Sequence, residues 1–136
     1  MKIRLLFLLV VSSLFAVSAK AVTAGKLKQY CAAFAFDQTD KSANSTFCVG
    51  YFDGWIEAVN GRTFLIDGKP FFFKFAGGFT IAKAIRPFYE YVNAHPEVEG
   101  KGLDDVLTGV LLDSKMMLLL PGWGESAFQL HAPKDK

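Results

Sequence analysis

Along most of the chain, apolar residues recur at intervals of three and four, and the breaks in that rhythm fall at clusters of turn-forming residues. Leu27, Tyr30, Cys31 and Phe34 predict a first helix over 23–36, with Thr23 available to cap it. Asp37 to Thr46 is polar and aperiodic, so it reads as a loop, and it holds three acceptable caps in Ser42, Asn44 and Ser45. A second helix is predicted from about Thr46 to Asn60, with Phe47, Cys48, Tyr51, Trp55 and Val59 on one face and Gly61 as a stop. Gly50 and Gly54, four apart on that helix, predict close packing against another helix.

The rhythm then changes. Thr63 to Ile66 and Phe71 to Phe75 form two short extended runs about the turn Asp67-Gly68-Lys69-Pro70, which predicts a hairpin. A buried irregular loop would give a similar pattern. A third helix follows Gly77-Gly78-Phe79, capped by Thr80, with Ile81, Ile85, Phe88 and Val92 in one stripe. Pro87 lies within it and is expected to kink or divide it, and Asn93 to Pro96 ends it. After a glycine-bounded connection, Leu103, Val106, Leu107, Val110, Leu111, Ser114, Met117 and Leu118 predict a fourth helix over 103–120, closed by Pro121-Gly122. The expected fold class is therefore mainly α: a small four-helix domain with a short β-hairpin between helices two and three. The tail from Trp123 to Lys136 is expected to pack loosely.

The N-terminus departs from this amphipathic pattern. Basic Lys2 and Arg4, an apolar run from Leu5 interrupted by Ser12 and Ser13, and the small-residue site Ala19-Lys20-Ala21 form a secretory signal. Val17-Ser18-Ala19 competes as a cleavage site, so the signal ends after residue 19 or 21. The apolar stretch is shorter than the ~20 residues a membrane span needs. The organisation predicted is a signal peptide over 1–21 and one exported domain over 22–136, expected in the periplasm and free of the membrane after cleavage. Losing Lys2, Arg4 and Lys20 takes the basic count from 15 to 12 against 13 acidic residues. A near-neutral mature chain without clustered positive charge is not built for nucleic acid.

Export gives the two cysteines their meaning. Cys31 and Cys48 are the only cysteines and are expected to pair in an oxidising compartment. Such a bridge ties the first helix to the second and is worth about 3 kcal/mol on the chain-entropy model. Other chemistry is sparse. His95 and His131 share no ligand spacing with each other or with an acid, so no metal is expected. Asp104 with Asp105 suits a helix N-terminus, and Glu97 with Glu99 suits a solvated loop. Gly77-Gly78 lacks the lysine and serine of a phosphate loop. With no nucleophile beside a base and no cofactor motif, the expectation is a binding protein and not an enzyme.

The segment Phe47-Cys48-Val49-Gly50-Tyr51-Phe52-Asp53-Gly54, with Cys31 before it and Gly78-Phe79-Thr80 and His95-Pro96-Glu97 after it, resembles the Rap/Tai family. That family comprises small exported helical proteins, and its characterised members are immunity proteins that neutralise peptidoglycan amidases delivered by type VI secretion. The resemblance runs from about Leu27 to Pro121 and implies a helical homodimer that presents a loop to the amidase's active-site cleft. The candidate partner-binding residues are His95, Pro96, Glu97, Glu99 and Lys101, with Asp67 and Lys69 of the hairpin turn. One departure stands out. Family members commonly carry a second cysteine pair at positions held here by Lys74 and Gly122, and the phenylalanines at 71, 72, 73, 75 and 79 are expected to supply apolar packing instead. The alternative class is a small periplasmic acid-stress chaperone, with the phenylalanine-rich segment as client-binding surface.

Overall fold

The computed structural model describes residues 21–124; the segment read from sequence as a signal peptide and most of the C-terminal tail lie outside the described residues. The helix α1, Ala24–Phe36, starts where Thr23 accepts from the Lys26 amide, and α2, Ala43–Val59, starts where Ser42 accepts from the Ser45 amide. Between them, Cys31 and Cys48 form a disulfide spanning 17 positions. The intervening loop is pinned from within. Asp40 Oδ2 accepts from the Ser42 amide and hydroxyl and from the hydroxyl of Ser45, which is buried.

The hairpin forms as two strands, β1, Thr63–Ile66, and β2, Lys69–Phe75. Ile66 pairs with Lys69, so the loop is the dipeptide Asp67-Gly68, with φ +50° and +73°. Positive φ at both positions is the type I′ geometry, whose twist matches that of the flanking strands. Next comes α3, Ile81–Ala94, capped by the Thr80 side chain; Pro87 lies inside it without dividing it. A 3₁₀ turn, Pro96–Val98, leads to α4, Leu103–Asp113.

Here the mainly α expectation fails. The fourth helix does not reach residue 120: it stops at Asp113, the chain reverses through Ser114 and Lys115 (φ +57°), and Met117–Pro121 forms a third strand, β3. Phe71 to Phe75 of β2 pair antiparallel with Pro121 to Met117 of β3, giving a three-stranded sheet in the order β1-β2-β3. The described residues form an α+β fold of four α-helices and one antiparallel sheet. The apolar run Met117-Leu118-Leu119-Leu120 continues the helical rhythm closely enough to disguise a strand, because a short continuous apolar run fits either period.

Strand alternation assigns the sheet two faces. Phe71, Phe73 and Phe75 share one face with Pro121, Leu119 and Met117, and Phe73 and Phe75 pack on the core. Thr63, Leu65, Pro70, Phe72, Lys74, Leu118 and Leu120 make up the other face. The core itself joins Leu27, Cys31, Cys48 and Phe52 to Ile85, Phe88, Val92, Leu107, Leu111 and Met117. At its centre, the rings of Phe52 and Phe88 meet edge to face at 5.6 Å between centroids. No helix among the described residues is long and apolar enough to cross a membrane.

Candidate functional site

The loop between α3 and α4 is strapped down in its middle and anchored at both ends, with Val98 buried beneath it. Glu99 carries the strap: its carboxylate pairs with Lys28 of α1, and its carbonyl accepts from the Gly25 amide at 3.0 Å. The approach is close enough that a Cβ at position 25 would lie 2.9 Å from Glu99 Cβ and 3.2 Å from Glu99 O, so glycine is needed there. A bridge between Thr23 and Gly102 holds the far end. At the near end His95 stacks on Tyr91, centroids 4.3 Å apart, with Nδ1 2.9 Å from the Tyr91 carbonyl oxygen.

This separates the loop residues named from sequence into two groups. His95 and Glu99 are spent on positioning the loop. Pro96, Glu97 and Lys101 are exposed and face solvent from it. Asp67 and Lys69 are also exposed, at the tip of the type I′ turn. The hairpin borders a different feature from the His95–Gly102 loop.

That feature is a groove of about 700 Å³ between β1 and the helices. Its apolar lining comes from Trp55 and Val59 of α2, Phe64 and Ile66 of β1, Phe73 of β2 and Leu119 of β3. Asp104 and Asp105, in the first turn of α4, form an acidic end, and Arg62 also lines the groove. The Trp55 indole N–H donates to Asp104 Oδ1 at 2.9 Å, which fixes the two helices at this wall. Beside it, burial raises the Tyr51 pKa above its ordinary value, with the Asp104 charge adding in the same direction.

From sequence, Trp55 reads as a core residue with a hydrogen-bonded tip, and the structure shows that. What the sequence did not reveal is that Asp104 accepts this bond, or that Asp105, Phe64 and Leu119 share a groove with it. Gly50 and Gly54 depart from expectation: both are exposed, and a Cβ at either would meet nothing within 4 Å, so they do not mediate close helix packing. Lys74 and Gly122 are not adjacent either. Lys74 pairs with Leu118, whereas the Gly122 amide donates to the Pro70 carbonyl, and the β2–β3 ladder runs between them. The two segments are thus joined by a sheet.

Among the described residues, no three His, Cys, Asp or Glu side chains gather as a metal site. Comparison with protein families, curated proteins and solved structures finds no match to this chain.

Proposed function

We propose that the protein is an exported inhibitor that occludes the active-site cleft of a peptidoglycan amidase, acting as a homodimer in the periplasm by binding and not by turnover. The observation that carries this is the state of the His95–Gly102 loop. It is anchored through Glu99 to Lys28 and Gly25, yet it presents Pro96, Glu97 and Lys101 outward. A loop already fixed in one shape loses little conformational freedom on docking, which is what a cleft-plugging inhibitor needs. The disulfide supports export, and the Rap/Tai resemblance supplies the target class. Co-expression in the periplasm of a candidate peptidoglycan amidase, with and without this protein, provides the test. Rescue from lysis and a stable complex are expected; no rescue and no complex would reject the proposal.

A second reading has its own observation. The outer sheet face combines Leu65, 66% exposed, and Leu118, 42% exposed, with half-buried Phe72 and Leu120. An apolar surface of this kind suits an envelope chaperone. Unchanged aggregation of an unfolded client between neutral and acidic pH would remove it.

A further inference from the structure

We propose that the groove between β1 and the first turn of α4 is a second docking site, which takes an extended, basic, apolar-anchored segment of the partner protein. The inference rests on the reading of the protein as a binding module and adds where and how the partner is gripped. Three features of the groove converge on that chemistry.

The first is the open edge of β1. In the order β1-β2-β3 it has a strand on one side only among the described residues, and its other backbone edge suits pairing with an added strand. Leu65 and Ile66, 66% and 43% exposed, stand at that edge without a cover among the described residues. The second is the apolar lining from Trp55, Phe64, Phe73 and Leu119, in a volume within the range of protein side-chain and ligand pockets. An aliphatic or aromatic side chain of an added strand would find room there.

Charge is the third. Asp104 and Asp105 are adjacent, both exposed, and both line the groove. Asp104 has one oxygen committed to Trp55, and Asp105 makes no ion pair among the described residues. Arg62 also lines the groove, with its guanidinium 5.9 Å from the Phe64 ring centroid, so two carboxylates stand against one cation and the balance favours a lysine or arginine flanking the apolar anchor over an acidic group. The acidic end is also continuous with the proposed plug. Gly102 closes the His95–Gly102 loop and is the N-cap of α4, so Lys101 and Asp104, both exposed, are three residues apart in sequence.

The experiment uses the full mature chain and a defined probe, the peptide acetyl-Gly-Lys-Phe-Val-Lys-Gly-amide, with a control in which both lysines are glutamate. The Trp55 indole N–H and the Leu65 and Ile66 amide resonances are followed by NMR. The basic peptide is expected to shift all three saturably. The acidic peptide is expected to shift none, and Asp105→Lys and Leu65→Asp are each expected to weaken binding at least tenfold while the rest of the spectrum is retained. No shift, or equal shifts with both peptides, would overturn the proposal. Contacts in the free protein from the groove to residues 125–136 would assign it to the chain's own C-terminal segment, and concentration-dependent shifts without peptide would assign it to a second copy; either result overturns it as well. Failure of amidase rescue leaves the peptide result standing. Conversely, full amidase inhibition by both groove variants would sink this inference and leave the inhibitor reading intact.

Discussion

The indole of Trp55 donates to the carboxylate of Asp104 across 49 positions of sequence, and this bond joins the second helix to the start of the last. Trp55 is 8% exposed, so its N–H has little access to water once the carboxylate is gone. Asp104→Ala is expected to cost about 1–3 kcal/mol, the range for leaving a buried donor unsatisfied. Calorimetry should show a melting temperature lower by several degrees. The same change removes a negative charge near Tyr51, so the Tyr51 pKa should fall toward its ordinary value in an ultraviolet titration.

The Cys31–Cys48 bridge closes a loop of 17 positions between α1 and α2. Cys48→Ser should lower stability by about 3 kcal/mol, measured by urea unfolding. It should leave the inhibitory contacts unchanged at a temperature where the variant remains folded. Loss of inhibition in a fully folded variant would show that the pair does more than hold the helices together.

Much of this fold is legible in the chain because its signals are local. Thr23 and Thr80 announce two helices as N-caps, and Asp67-Gly68 announces the hairpin as the preferred type I′ pair; α2 starts at Ala43, earlier than the expected Thr46, because Ser42 is the one of three candidate caps that is used. The third strand was hidden for a physical reason. Its boundary with α4 is a left-handed Lys115, where a glycine would have marked the break, and Leu118 to Leu120 carry no polar alternation. The site was legible only as loops. The Glu99–Lys28 pair spans 71 positions, and no spacing rule reaches so far.

Gly25→Ala places a methyl group against the Glu99 Cβ and carbonyl, neither of which is the free end of a flexible chain. The loop must shift away, and overpacking of this kind typically costs about 1–3 kcal/mol. Amide hydrogen exchange over residues 95–102 should rise, and inhibition should weaken with it. Glu99→Gln is expected to weaken the strap at Lys28 while keeping the Gly25 backbone bond, with a smaller effect on both.

Acid should loosen the segment between α1 and α2. The Thr39 hydroxyl and amide hold the Asp37 carboxyl below its ordinary pKa, and the Ser42 and Ser45 hydroxyls do the same for Asp40. A lowered native pKa gives stability that is present above the unfolded value, near 3.9, and is lost as pH falls through the native value. The urea midpoint should therefore drop as pH is taken below about 4. Replacing both with asparagine should make that drop shallower.

The most direct measurement is a titration of peptidoglycan cleavage by a candidate amidase, at amidase concentrations well above the dissociation constant. The mature protein is expected to abolish cleavage at one site per amidase active site, and Glu97→Lys combined with Lys101→Glu, changes at exposed loop positions, to raise the amount required at least tenfold with the melting temperature unchanged. Undiminished cleavage at excess wild-type protein would contradict the inhibitor reading. Equal potency of the double variant would contradict the role given to the His95–Gly102 loop.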